Sequence, residues 1–145
     1  MKSNEIGISL SFFGGYEPGF GPDAHLPLMA ANGLSTAEVW PTLIPPRNRM
    51  AFLEPLRCSF EDAGLRVNSV HTPFGVPLDI SSPDRAVRAQ GLSEALRCLD
   101  GVRLLGGRYL IVHPSSEPIE DAERSARIAQ CQESLRVLGD AVDPD

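Results

Sequence analysis

The sequence predicts an α/β protein in which four strands alternate with four helices around a parallel sheet, and two observations carry that prediction. Two stretches read alike, Arg66–Pro73 (RVNSVHTP) and Arg108–Ser115 (RYLIVHPS): each is a run of β-formers ending in a His, with a Pro directly or one residue behind it. Pro lacks an N–H and forbids further pairing there, so His71 and His113 fall at strand ends. A long helical segment separates the two, and strand, helix, strand is the unit that makes neighbouring strands parallel. Both imidazoles then belong to one carboxyl rim of one sheet, where open α/β sheets and (β/α)8 barrels place their chemistry.

The elements follow in order. Ile6–Phe12 (IGISLSF) alternates apolar and small residues as a first strand and leads into the loop GGYEPGFGP, where Phe12, Phe13, Tyr16 and Phe20 are candidate pocket walls. Asp23 can cap a helix that runs to about Asn32, with Gly33 as its left-handed stop, and His25 falls in its first turn. Thr36–Trp40 (TAEVW) is a short strand with one acid among buried positions, and a carboxylate there needs a partner, so Glu38 is either paired or faces a polar site. Trp40, at the strand's end before Pro41, is placed to stack on the apolar face of a sugar ring. Past the Pro-rich loop 41–49, Leu53, Leu56, Phe60 and Ala63 repeat at helical spacing up to Gly64. Pro55 argues that the continuous helix starts near Glu54, after a separate turn around Met50.

Behind the His71 strand, PFGVPLDISSPD ends in a helix start, with Ser82 as cap, Pro83 in the first position and Asp84 near the positive end of the dipole. Leu92, Ala95 or Leu96, Leu99 and Val102 form one stripe of that helix until Gly106 and Gly107 end it. After the His113 strand, Glu120, Asp121 and Glu123 open a last helix with Ile128, Cys131, Leu135, Leu138 and Val142 repeating at three and four. The terminal Asp-Pro-Asp reads as a lead into a further strand.

Length and composition bound the function. The 145 residues make one domain, 1–145, with enough chain for a core but short of the roughly 250 residues of a closed barrel. No apolar run approaches the ~20 residues of a membrane helix and no signal peptide is recognisable, so the expectation is a cytoplasmic protein with no membrane partner. A net charge of −6 argues against nucleic acid as a partner and favours small molecules. Cys58, Cys98 and Cys131 are odd in number and widely spaced, which suits reduced, partly buried thiols.

The pattern β-α-β-α-β-α-β-α fits either a doubly wound sheet or half a barrel, and GGYEPGFG lacks the GxGxxG spacing that would favour dinucleotide binding. The order AGLRVNSVHTPFG, then DISSPDRAVRAQGLSEALRCLDGVRLLGGRYLIVHPSS, resembles the xylose-isomerase-like (β/α)8 barrels, a superfamily of sugar phosphate isomerases and epimerases that also includes endonuclease IV. There a His ends the third strand, a Ser-Pro-Asp type of start opens the third helix, a stop such as LGG precedes the fourth strand and a second His ends it.

The resemblance, which spans most of the chain, implies the amino-terminal half of such a barrel. It also implies a divalent metal, Mn, Mg or Zn, at the carboxyl face of the complete barrel, with carboxylate and His ligands from the fifth to eighth strands. His71 and His113 match positions that bind metal in endonuclease IV-like members and line the substrate in sugar epimerases. Trp40, His71 and His113 are therefore the candidate substrate contacts, and His71 and His113 the candidate metal ligands. Moving a proton next to a carbonyl requires a carboxylate base and an electrophile on the enolate oxygen, which a divalent ion supplies.

The leading expectation is a sugar or sugar phosphate isomerase or epimerase, truncated and inactive alone. The rivals are an apurinic-site nuclease and a non-enzymatic half-barrel that associates through its open sheet edges. The loops at the carboxyl rim carry only Arg47 and Arg49 as basic residues, which disfavours DNA.

Overall fold

The computed structural model describes residues 6–11 and 22–142. Its elements are β1 (Gly7–Ser9), α1 (Pro22–Ala31), β2 (Thr36–Val39), α2 (Arg49–Asp62), β3 (Arg66–His71), α3 (Arg85–Leu105), β4 (Tyr109–Ile111) and α4 (Asp121–Val142). The predicted alternation of strands and helices is thus present. The loop aromatics Phe12, Phe13, Tyr16 and Phe20, and the side chain of Asp23, lie outside the described residues.

Two compact units are distinguished, one of Met1–His71 with Asp100–Ile111 and one of Thr72–Leu99 with Val112–Asp145. The first holds the whole sheet, in the order β1-β2-β3-β4 with every pair parallel. Its core is apolar. Leu10, Ala37, Val39, Val67 and Val70 from the strand segments are buried, as are Leu53, Leu56 and Phe60, which share one face of α2 at spacings of three and four. Burying these side chains, at roughly 1.5–3 kcal/mol for each large one, is what holds helix to sheet.

The three glycine stops act as expected. Gly33, Gly64 and Gly106 have φ of 82°, 70° and 69°, and the N–H of the next residue reaches back to Met29, Phe60 and Val102 in turn, closing each helix with a Schellman pattern.

Several local expectations are corrected. The helix α2 is continuous from Arg49, with Pro55 inside it. The Ala51 carbonyl that loses a donor to Pro55 belongs, like Pro55, to an exposed residue, and a solvent-facing carbonyl tolerates the loss. The cap of α3 is Asp84, whose Oδ1 accepts the Ala86 N–H at 2.7 Å; Ser82 Oγ instead accepts the N–H of Asp84. An Asx turn and the cap compete for the same short side chains, and Asp84 is the one adjacent to the first helical residue. In α4 the predicted apolar stripe is mostly uncovered: Leu138 and Ser134 are buried, whereas Ile128, Leu135 and Val142 are exposed. Periodicity marks a face able to bury itself without saying that anything covers it. Cys98 is buried, Cys131 half-buried and Cys58 exposed, all three free.

Candidate functional site

The carboxyl ends of β1, β2 and β3 assemble one cluster within the first unit. Strand alternation divides β2 into a buried apolar pair, Ala37 and Val39, and an opposite set of Thr36, Glu38 and, just past the strand, Trp40. Ser9 of β1 is in register with Glu38 and joins that set.

His71 reaches the same set by a break in register. Ala37 faces Val67, but Glu38 faces Ser69, so Asn68 is an extra residue on β3. Unbroken alternation from Val67 would turn Ser69 and His71 toward the apolar side; the inserted residue moves them to the side of Glu38 and Trp40. The outcome is a ring contact: Trp40 and His71 stack with centroids 4.6 Å apart and planes 12° from parallel. His71 is 8% exposed.

Polar contacts tie the cluster together. Trp40 Nε1 donates to Ser9 Oγ at 2.7 Å, and Ser9 Oγ donates to Glu38 Oε1 at 3.0 Å. The partner expected for Glu38 is therefore a serine hydroxyl that in turn supports the indole. Below it a groove of about 260 Å³ is lined by Ser9, Thr36, Glu38, Asn68 and Ser69. A larger cavity, about 590 Å³, includes Arg57, Arg66, Arg103 and Arg108 and opens near the amino ends of the strands, the side of such folds associated with stability.

His113 belongs to the second unit. It lies two residues past β4, in the following loop, because the strand ends at Ile111. Its ring stacks on Phe74, centroids 4.1 Å apart and planes 18° from parallel. The structure thus brings Trp40 and His71 together and gives each candidate histidine its own aromatic neighbour.

Ser9, Phe74 and Asp79 escaped the sequence reading. Asp79 anchors the loop behind the His71 strand: Oδ1 accepts the Ser81 N–H and hydroxyl at 2.8 and 2.7 Å, and Oδ2 accepts the Ser116 N–H at 3.2 Å and Arg127 Nη1 at 2.9 Å. Burial pushes its pKa up, but the Ser81 and Ser116 hydrogen bonds and the Arg127 charge outweigh that, leaving the carboxyl below its ordinary value. The D-x-S pattern of Asp79–Ser81, which favours a local side-chain turn, is the one signal that could have found it.

Among the described residues, no group of three or more His, Cys, Asp or Glu is arranged to hold a metal ion. No described helix is long and apolar enough to cross a membrane.

Four consecutive β/α units with parallel strands and polar side chains gathered at the carboxyl ends define this chain as half of a (β/α)8 barrel. No family model and no curated protein matches the sequence. Solved structures do. A D-psicose 3-epimerase determined in the presence of D-fructose aligns with a TM-score of 0.75 at 24% identity, over 96% of this chain and 48% of its own. The D-psicose 3-epimerase of Clostridium cellulolyticum H10, determined with D-tagatose, aligns with a TM-score of 0.77 at 16% identity, over the same shares. A 3-keto-D-glucoside 4-epimerase from E. coli aligns with a TM-score of 0.69 at 18% identity, over 94% of this chain and 51% of its own. The chain therefore spans about half the length of the structures it matches, and at these identities the likeness establishes the fold.

Proposed function

We propose that this chain contributes the amino-terminal half of the substrate-binding face of a sugar or sugar phosphate isomerase or epimerase. The observation that carries the reading is the stacked Trp40–His71 pair at the carboxyl ends of β2 and β3, in a fold shared with sugar epimerases. An aromatic face packs on the C–H face of a sugar ring, and an imidazole nitrogen donates to or accepts from a ring hydroxyl. In this reading Trp40 and His71 contact the sugar and His113 is a further ligand of substrate or metal.

The divalent metal is part of the proposal for the complete barrel only. The described residues do not form its site, and the carboxylates that the family resemblance implies belong to later strands. A small molecule fits the carboxyl rim better than DNA does. Of Arg47 and Arg49, the latter, at the start of α2, is ion-paired with Asp100 at 2.9 Å.

The test uses the complete protein with Mn²⁺ or Mg²⁺ and a panel of ketoses. His71→Ala and His113→Ala are each expected to lower turnover by about 100-fold or more, within the range of a lost catalytic or positioning group. The lost aromatic stack costs about 1 kcal/mol in either variant, to which the buried His71 adds the loss of its packing, so melting temperature is measured beside turnover. Wild-type turnover in both variants, or losses that track unfolding, overturns the reading.

A further inference from the structure

We infer that Ser9 and Glu38 are positioning residues that fix the indole plane of Trp40 and, through the ring stack, the imidazole of His71. An indole N–H can only donate, so Ser9 Oγ, 2.7 Å from Trp40 Nε1, must accept. The single hydroxyl proton is then available in one other direction, and it goes to Glu38 Oε1 at 3.0 Å. The chemistry of the two ends, a donor-only ring and an acceptor carboxylate, sets the sense of both bonds. An acceptor at position 38 holds the serine as an acceptor for the indole; without it the hydroxyl is free to rotate.

The backbone makes this tie stiff. Ser9 pairs with Glu38 across one parallel ladder, the Leu10 N–H donates to the Glu38 carbonyl at 2.9 Å, and Trp40 follows Glu38 by two residues on the same face. The indole lies within 12° of parallel to the His71 ring, so turning it out of the Ser9 bond also opens the stack. Glu38 and Ser9 thus act on His71 through the Trp40 ring. The use of the stack by a sugar rests on the function proposed above; the anchoring of the ring does not.

Trp40 is the only tryptophan, so the ¹⁵N-labelled chain gives one indole N–H resonance. That proton is expected to exchange more slowly than in free indole. Ser9→Ala and Glu38→Ala are each expected to move the resonance and speed its exchange roughly 3- to 10-fold, the weight of one hydrogen bond. Ser9→Thr, which keeps the hydroxyl, is expected to restore both. An indole proton that already exchanges at the free rate in the unmodified chain overturns the inference without any variant. So does a Ser9→Ala variant with unchanged shift and exchange. Sugar turnover is not among these readouts, so failure of the epimerase reading and failure of the anchor are told apart.

Discussion

Replacing Asp79 by Asn isolates the second unit's main polar anchor. The Asp79 side chain is 4% exposed and its partner Arg127 16% exposed, so this pair is largely shielded from solvent. Asn has one uncharged acceptor in place of two charged ones: turned to Ser81 it presents its NH2 donors to the Ser116 N–H and Arg127, and turned the other way it presents them to the Ser81 N–H. Breaking a buried pair by removing one partner costs roughly 3–5 kcal/mol. Arg127 retains Glu123 at 2.9 Å, on a more exposed carboxylate, which reduces the penalty. We therefore expect a loss of about 2–4 kcal/mol at neutral pH, or roughly 6–12 °C in melting temperature for a chain of this size. Urea unfolding of the 145-residue chain, followed by circular dichroism, measures it. The pH dependence supplies a second check. A carboxyl whose pKa is lowered by folding contributes stability that is present above its unfolded pKa and lost as pH falls through the lower folded value. The gap between wild type and Asp79→Asn should therefore close in acid, where the wild-type side chain is also neutral. A gap under about 1 kcal/mol at pH 7, or one that does not change with pH, would refute the assignment.

Three other outcomes are expected. Gly91→Ala should destabilise by about 1–3 kcal/mol in urea melts, because a Cβ there runs into the Leu78 carbonyl oxygen; a neutral result contradicts the tight approach. The chain alone should self-associate in light scattering, since Tyr109 and Ile111 on β4 and Ile128, Leu135 and Val142 on α4 are exposed. A monodisperse monomer would count against that. Purified alone, the 145 residues should show no ketose turnover with Mn²⁺ or Mg²⁺, because they lack the carboxylates that the family resemblance assigns to later strands; turnover that co-purifies with this chain contradicts it.

What was legible in the sequence was whatever local chemistry decides. The Pro behind His71, and the glycines at 33, 64 and 106, act within a few residues of their own position, and the end of β3 and the three helix stops were found there, whereas β4 ends at Ile111, two residues short of His113. The extra residue at Asn68 was not visible, because RVNSVH alternates acceptably in either register and the pairing with β2 decides between them. Glu38 announced that it needed a partner, but Ser9 is 29 residues away in sequence and only the ladder brings it close. Asp79 was hidden for the same reason, with partners 37 and 48 residues on. The α4 stripe failed differently: its period is correct, and burial depends on neighbours that a period cannot name.

The central claim is that Trp40 and His71 form a sugar-binding surface, and titrating ketohexoses into the ¹⁵N-labelled chain tests it most directly. These sugars are expected to shift the single Trp40 indole resonance saturably, and His71→Ala, with its fold intact, is expected to weaken or abolish the shift. An indole resonance that stays in place at every sugar concentration, in a chain whose other resonances show it folded, would contradict the account.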